Sequence, residues 1–536
     1  MYSYKMGRWK LIRSLLDLLP SFRTPRRQDL EAHPKNSTKI LASNSTTPEH
    51  VSSFSRHVGT LEDLFNNISL VKGSINREHT SFFVVLQVQF PPTKWNVEDC
   101  IARAWEGLGQ RYPALRAQIS TPNKFDSRKQ SSISVQPWEE ANFRASFSTH
   151  RNCPNVDTLF SAPSPKRKTA TCHWLPDPGQ VVIRTAHWRS DGFGLVLLAD
   201  AFLSALADTL QQGPSVPLEN SGAKQPVAVP PSLEELVQRH LPPSPQEATA
   251  DVDDVVETFA NGRQSIGFPT RPNASTAKPS MCERAAIRME ADDSAKLVNG
   301  CRMQGVSVTS AVNAAVIRTA AQFPQDPGAH AYAIFAPVDF RRPLMAAGAQ
   351  ECSQPTGNYV SGAPLRIDGA AGKTFRNLAH ELNDIYSQDF TRYQRPGTAA
   401  GAKALSLLQL TEPYIQGIAK LFALFPAPGC PFPKAPVISS FGKMDSLVKR
   451  EYGGDSEDTT GASKLRVTDF WVSCDCATPM ITFNPYSWGG EFTLSSAWED
   501  SYYERNFVIA VLERTMAELI KGLEIGPVSY RITTGQ

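Results

Sequence analysis

The chain has 536 residues, of which 41% are hydrophobic and 20% charged, and its Lys and Arg residues outnumber Asp and Glu by only three, 55 against 52. So small a net charge cannot form the dense basic field that nucleic-acid binding requires, which excludes nucleic acid as a partner. The nine cysteines are dispersed without a CxxC pair, so neither a disulfide framework nor a zinc site is expected. These features predict a reducing, cytoplasmic compartment.

The first 54 residues carry no pattern of a folded domain. Between residues 5 and 19, apolar side chains recur at helical spacing among basic ones. That pattern is typical of a helix that associates weakly with a membrane surface, or of one that frays or docks on the folded part. Arg13 and Asp17 interrupt the apolar run that a signal peptide needs, and residues 28–54 are polar and aperiodic. We expect a flexible leader over residues 1–54.

Helical and strand patterns alternate from residue 55 to residue 212. The predicted elements are a short helix capped by Thr60, a buried strand over Phe82–Phe90, a helix over 96–111 capped by Asn96, and a hairpin with strands 171–175 and 180–187. The hairpin turn is Asp177-Pro178-Gly179, in which the proline presets the turn and the glycine accepts a positive φ. We assign residues 55–212 to an N-terminal lobe.

The segment over residues 213–280 holds eleven of the chain's 41 prolines and one clear helical stretch, SLEELVQRHL, so we interpret it as a crossover. Beyond it the alternation resumes. The predicted elements are a helix capped by Ser307, a strand over Ala331–Val338, a helix over 373–387, strands over 437–443, 467–473, 480–483 and 491–496, and a closing helix over 503–523. This organisation predicts an α/β protein, a mixed α+β sandwich of two lobes, with residues 281–536 as the C-terminal lobe.

The hexapeptide HWRSDG, residues 187–192, joins the second hairpin strand to a strongly helical run. His187 at the end of a strand can present its imidazole to a cleft, and Asp191 before a glycine-opened helix can hold the shape of the turn. A histidine satisfied in the core and an aspartate that only caps the helix remain equally open. No metal site is expected, because no other His or carboxylate cluster stands at ligand spacing. No GxSxG, GxxxxGK[ST], GxGxxG or HExxH motif offers another chemistry.

The HxxxDG pattern resembles the signature of the superfamily that contains BAHD acyltransferases, chloramphenicol acetyltransferases and peptide-synthetase condensation domains. Within it, over about residues 55–525, the chain looks most like the fungal trichothecene O-acetyltransferase family. The further segments that fit in order are SRHVGTLEDLF at 55–65, RYPALRAQI at 111–119, PVDFRRPL at 337–344, GNYVSG at 357–362 and SSFGKMD at 439–445. One segment departs from the pattern. The DFGWG motif of BAHD enzymes is reduced to DFW at 469–471, which places the chain outside the plant-type group.

The resemblance implies two chloramphenicol-acetyltransferase-like lobes with a tunnel between them and His187 as the general base. Asp191 and Gly192 would support the site structurally, and Asp191 would pair with an arginine of the other lobe, Arg341 or its neighbour Arg342. The further residues that the resemblance places in the tunnel, for the substrate or for coenzyme A, are Asn358, Ser440 and Asp469.

The implied activity is transfer of an acyl group, most simply acetyl, from coenzyme A to a hydroxyl of a fungal terpenoid or polyketide. The co-substrate would be acetyl-CoA or another acyl-CoA, and no cofactor would be bound permanently. The partners are then a small-molecule alcohol and the acyl-CoA, and we expect a monomer. Two alternatives stay open: a condensation-type enzyme that uses a carrier-protein thioester or forms an amide, and a catalytically silent member that only binds a ligand.

Overall fold

A computed structural model describes residues 54–534, except for residues 70–77, 121–130, 136–138, 140–142, 161–168, 217–226, 243–264, 273, 275–276, 278–279, 388–407, 409–410, 423–432 and 454–463. The expected leader and its basic segment at 5–19 lie outside the described residues. Within them the chain is a mixed α/β protein, as its alternating patterns predicted.

Seventeen strands are present in the described part of the chain. They are β1 (Phe54–His57), β2 (Ser81–Gln89), β3 (Ala117–Ser120), β4 (Ser132–Val135), β5 (Phe147–Thr149), β6 (Thr171–Leu175), β7 (Gln180–Ala186), β8 (Cys282–Met289), β9 (Ala331–Asp339), β10 (Val360–Asp368), β11 (Val437–Ile438), β12 (Gly442–Lys443), β13 (Glu451–Tyr452), β14 (Leu465–Cys474), β15 (Thr482–Trp488), β16 (Glu491–Glu499) and β17 (Tyr530–Thr534).

The same residues form eleven α-helices. They are α1 (Thr60–Ile68), α2 (Val97–Arg111), α3 (Val156–Phe160), α4 (Gly192–Gln212), α5 (Leu233–His240), α6 (Ala291–Met303), α7 (Val308–Ala320), α8 (Arg341–Ala346), α9 (Phe375–Tyr386), α10 (Thr411–Phe422) and α11 (Arg505–Gly522).

The first six-stranded sheet has the order β13-β14-β2-β7-β6-β5 and packs against α2 and α4. Because α4 is strongly apolar, it could span a membrane by length and composition alone. Here it is largely buried, and Phe202 at its centre is fully enclosed in the core beside the sheet. Trp105 of α2 is equally buried, and its indole N–H donates to Ser146 at 2.8 Å. The sheet and the two helices therefore form one continuous core.

The second six-stranded sheet runs β11-β15-β16-β8-β17, with β12 also beside β15. Its core includes residues of α6, α7, α9 and α11. A separate two-stranded ribbon of β9 and β10 pairs over nine residues, from Val360 opposite Asp339 to Asp368 opposite Ala331. The loop between its two strands, residues 340–359, carries two of the predicted site residues.

A strand from late in the chain completes the first sheet. β14 pairs antiparallel with β2, from Arg466 opposite Gln89 to Cys474 opposite Phe82, and β13 extends the sheet beyond β14. Residues 451–474 therefore share a sheet with the N-terminal elements, although the sequence pattern grouped them with the C-terminal lobe. The lobe boundaries at 212 and 281 stay a prediction.

Several element boundaries differ from the predicted ones for local reasons. Gly59, not Thr60, occupies the N-cap of α1, and the Glu62 carboxylate accepts its backbone N–H at 2.8 Å. The expected strand over 437–443 is split into β11 and β12. β15 extends beyond the predicted end at residue 483 and includes Pro485. β11 and β12 pair with β15 on either side of Pro485, and they are separate strands because a proline has no N–H to donate to a neighbour.

Candidate active site

The HWRSDG hexapeptide forms a tight turn between β7 and α4. β7 ends at Ala186 and α4 begins at Gly192. Asp191 is the N-cap residue, and its Oδ1 atom accepts the backbone N–H of Gly194 at 2.8 Å. This bond satisfies one of the free donors at the helix N-terminus. The second carboxylate oxygen, Oδ2, is left for partners outside the helix.

The turn needs its glycines because other segments pack directly on them. A Cβ atom on Gly192 would lie 2.8 Å from the ring of Phe441. A Cβ atom on Gly194 would lie 2.7 Å from the carbonyl oxygen of Pro355 and 3.1 Å from Nη2 of Arg341. The contacts with Phe441 and with the Pro355 carbonyl are closer than a real Cβ tolerates. The HxxxDG glycine, Gly192, therefore allows the close approach of Phe441, and its role as a support of the site stays a prediction.

Asp191 is fully buried, and its Oδ2 atom joins the turn to the loop between β9 and β10. It accepts the backbone N–H of Tyr359 at 2.8 Å and lies 2.9 Å from Nη1 of Arg341. Burial lowers the pKa of Arg341, but the charges of Asp191 and Asp339 outweigh burial and raise it overall. Arg342 is exposed, so Arg341 is the partner. The cap and the ion pair, posed as alternatives from sequence, coexist, because each uses its own carboxylate oxygen.

The GNYVSG segment docks on the hexapeptide through its backbone. The N–H of Gly357 donates to the carbonyl of Arg189 at 2.9 Å, and Gly357 forms a parallel bridge with Ser190. These bonds place Asn358 beside His187, with Nδ2 of the amide 3.2 Å from Nδ1 of the imidazole. Asn358 is therefore next to the proposed base, and its place in a substrate or coenzyme A tunnel stays a prediction.

Two aromatic rings enclose the imidazole of His187. Phe65 stacks on it with a centroid distance of 3.5 Å and an interplanar angle of 11°, and Phe82 meets it edge-on at 4.7 Å. Only 9% of His187 is exposed. Burial lowers the pKa of His187 to about 4, although a hydrogen bond with its own backbone and the charge of Asp191 oppose the shift. The imidazole is therefore neutral at neutral pH.

The tautomer of His187 decides whether it can act as a base. With its one hydrogen on Nδ1, the neutral ring needs an acceptor at that position. The Asn358 amide can present oxygen instead of nitrogen to Nδ1 after a half-turn about its last torsion. In this tautomer Nε2 carries the lone pair, and it has no hydrogen-bond partner among the described residues. The site then holds a neutral imidazole with an unoccupied acceptor.

The stacking of Phe65 depends on how α1 is held. Besides capping α1, Glu62 forms a two-pronged ion pair with Arg56, with contacts of 2.6 and 2.8 Å. Oε1 of Glu234 on α5 accepts the N–H of Leu61 at 2.8 Å. Phe65 was not singled out from sequence, although it closes the 55–65 segment of the resemblance. Its contact with His187 is long-range and has no sequence signature.

Two further predicted residues have partners of their own. Ser440 accepts a hydrogen bond from the hydroxyl of Thr309 at 2.9 Å and precedes Phe441, which packs on Gly192. Asp469, on β14, lies 2.6 Å from Arg288 of β8 and thereby links the two large sheets. The structure brings other predicted site residues together as two contacting pairs, His187 with Asn358 and Asp191 with Arg341. It assigns Asp469 to an ion pair elsewhere.

Comparison with solved structures identifies the fold. Over 89% of this chain and 97% of the other, the trichothecene 15-O-acetyltransferase from Fusarium sporotrichioides superimposes with a TM-score of 0.64 at 13% sequence identity. The chain has the fold of this acetyltransferase. The condensation domain of the Monacolin K polyketide synthase MokA also matches, with a TM-score of 0.55 at 12% identity over 90% of this chain and 100% of that domain. The fold that the resemblance implied is confirmed.

Sequence comparison gives distant fungal relatives. The loline biosynthesis cluster 1 transcription factor lolU1 of Epichloe uncinata is 25% identical over 436 residues, which are 80% of this chain and 86% of that protein. The acetyltransferase pigO of Monascus ruber is 22% identical over 498 residues, 90% of this chain and 98% of that protein. No protein-family model matches. The relatives are of similar length to this chain and include acetyltransferases.

The buried pair of Asp191 and Arg341 can be tested by a double-mutant cycle. Asp191→Asn keeps an acceptor for the helix cap but leaves the guanidinium without its buried partner, so each single change, including Arg341→Gln, should cost roughly 3 to 5 kcal/mol of stability. The double variant should lose less than the sum of the two. Chemical unfolding of the four proteins measures these differences.

Asp339→Asn is the matched control. Asp339 also contacts Arg341, at 3.0 Å, but 26% of its side chain is exposed, so its replacement should cost about 1 kcal/mol or less. Strictly additive effects of the Asp191 and Arg341 changes would show that the pair does not couple the turn to the loop.

Proposed function

We propose that the protein is an O-acetyltransferase that moves an acetyl group from acetyl-CoA to a hydroxyl of a fungal terpenoid or polyketide. The observation that carries the proposal is the buried imidazole of His187, held in the HxxxDG turn beside Asn358, with no hydrogen-bond partner for Nε2 among the described residues. The similarity to fungal acetyltransferases supports the reaction class. Neither the donor nor the acceptor is specified by these comparisons.

The proposed reaction requires one proton acceptor and no acyl-enzyme. An alcohol becomes nucleophilic as its proton leaves, and Nε2 of His187 accepts that proton while the oxygen attacks the thioester carbonyl. The tetrahedral intermediate then collapses, the carbon–sulfur bond breaks, and the departing thiolate takes the proton from His187. Asp191 does not touch the substrate in this scheme. It fixes the turn that carries the base, and its charge favours the transient imidazolium.

A condensation-type reaction is the second candidate, because the MokA condensation domain has the same fold. Such an enzyme would take its acyl group from a carrier-protein thioester or would form an amide. A DNA-binding role, suggested by the name of the Epichloe relative, is not favoured. An excess of three positive charges over 536 residues gives little attraction for a phosphate backbone.

Acetyl transfer can be measured with acetyl-CoA and a panel of sesquiterpene and polyketide alcohols. Free thiol release gives the rate, and intact mass of the product shows the added acetyl group. His187→Ala should remain folded and lose at least about 10²-fold in turnover, as expected when a general base is removed. His173→Ala is the matched control. His173 is a buried histidine on β6 that bonds to Thr171 and His150, so its loss should affect stability and not chemistry.

The donor is tested in parallel with an acyl carrier protein loaded with the same acetyl group. Transfer from the carrier but not from acetyl-CoA would favour the condensation alternative. Near-normal turnover in folded His187→Ala would show that His187 is not the base. Binding of an alcohol without transfer from either donor would identify a silent, ligand-binding protein.

The pH dependence of kcat/KM should reflect the buried imidazole. Because burial lowers the pKa of His187 to about 4, the base stays unprotonated well below neutral pH, and kcat/KM should be nearly constant from pH 7 to about pH 5. It should fall only as pH approaches 4. A histidine with an ordinary pKa near 6.5 would instead lose half of its activity at about that pH.

Circular dichroism at each pH provides the control for folding. A histidine kept neutral in the folded state stabilises the protein fully above its unfolded pKa of about 6.5, and this contribution is lost as pH falls toward the folded value. An acid limb centred near pH 6.5 in protein that is still folded would show that His187 is not held in the apolar environment described here.

A further inference from the structure

A second buried imidazole, His79, immediately precedes β2. Its exposure is 6%, and its Nδ1 atom accepts the backbone N–H of Ala477 at 3.1 Å. A neutral imidazole carries one hydrogen, so an accepting Nδ1 leaves that hydrogen on Nε2. Nε2 has no hydrogen-bond partner among the described residues. His79 is thus a buried donor whose N–H is unused within the described structure.

The strand register places His79 close to the proposed base. β2 and β7 are antiparallel, and their pairing at this end stops with Ser81 opposite Ala186. Beyond this last pair, His187 directly follows Ala186, and His79 lies two residues before Ser81. Phe82, on β2, contacts the ring of His187. Side chains of a regular strand alternate between its faces, but Thr80, with a φ of +59°, breaks that alternation between Phe82 and His79. The two histidines therefore flank the same end of the same strand pair.

The backbone around His79 is held in an unfavourable conformation. Thr80 has φ of +59°, which is rare for a β-branched residue and is retained only where the surroundings enforce it. Two backbone hydrogen bonds hold this conformation in place. The N–H of Thr80 donates to the carbonyl of Asp475 at 2.7 Å, and the N–H of His79 donates to the carbonyl of Ser69 at 2.6 Å.

Asp475 is fixed in turn by a buried ion pair with Arg184 of β7, with a distance of 2.6 Å between Nη2 and Oδ2. These contacts hold the backbone on either side of His79, and the Ala477 N–H holds its imidazole at Nδ1. Burial, with a contribution from nearby His187, lowers the pKa of His79 to about 4 against the opposing charge of Asp475. Both imidazoles are therefore neutral at neutral pH. In the proposed reaction Nε2 of His187 accepts a proton, whereas Nε2 of His79 carries one.

We propose that His79 is a second catalytic residue, a fixed hydrogen-bond donor to the carbonyl oxygen of the thioester during the attack for which His187 is the base. The proposal rests on the proposed acetyl transfer. As the hydroxyl oxygen bonds to the carbonyl carbon, electrons move onto the carbonyl oxygen and Nε2–H of His79 stabilises that charge. No proton leaves His79. The electrons return when the carbon–sulfur bond breaks.

Two replacements of His79 separate this role from a structural one. In His79→Asn the amide oxygen can take the place of Nδ1 and accept from Ala477, but nothing replaces the Nε2 donor. In His79→Gln the amide nitrogen reaches the position of Nε2, but the bond to Ala477 is lost. Turnover and KM for acetyl-CoA are measured by thiol release, with thermal melting and the pH profile of kcat/KM recorded for each variant.

The donor role predicts that His79→Asn lowers kcat by about 10² to 10³-fold with KM for acetyl-CoA little changed, as for removal of an oxyanion donor. His79→Gln should retain more activity than His79→Asn despite a lower melting temperature. The acid limb near pH 4 should persist in both variants, because His187 remains the base.

A purely structural His79 gives the reverse order, with Asn well tolerated and Gln impaired, and that order would overturn the proposal. So would a folded His79→Asn variant with kcat within about threefold of the unmodified protein. These outcomes leave the proposed acetyl transfer intact, because the unmodified protein is still active. If instead the unmodified protein releases no thiol with any acceptor, the proposed function fails, and the role of His79 falls with it.

Discussion

The site depends on one buried carboxylate. Asp191 caps α4 with one oxygen and, with the other, accepts the Tyr359 N–H and pairs with Arg341. Two segments far apart in sequence, the turn and the loop between β9 and β10, therefore meet at a single charge that is buried from water. Removing water from such a charge costs several kcal/mol, so the arrangement is stable only when all the partners are present. This requirement makes the meeting of the turn and the loop a single defined geometry.

The same arrangement sets the chemistry of His187. Because Asp191 is turned toward Gly194, Tyr359 and Arg341, the imidazole is surrounded mainly by the rings of Phe65 and Phe82. An apolar enclosure keeps the base neutral but weakens its affinity for a proton. In the proposed transfer the proton is held only until the thiolate leaves, so a weak base that is always available is sufficient.

The sequence predicts the local parts of the site and misses the parts that folding brings together. The strand–turn–helix around His187 follows from a β-rich run, a glycine and an apolar helix, all contiguous. Arg341 and Asn358 could be named only through the family resemblance, because nothing in their own neighbourhoods marks them. Phe65 and His79 reach the site through contacts across the chain, so hydrophobic periodicity could not identify them. Likewise, the pairing of β14 with β2 joins residues nearly 400 positions apart. The local pattern of hydrophobic and polar residues carries no information about a pairing over that distance.

That distant pairing has a consequence for synthesis of the protein. β2 is an interior strand of the finished sheet, but its partner β14 is translated only after most of the chain has left the ribosome. Until then the nascent N-terminal half exposes an edge of Val and Phe residues with unpaired backbone groups, the kind of surface that promotes aggregation. The first sheet therefore cannot be completed before residue 474 has emerged, so its exposed edge needs protection, for example by chaperones, until then.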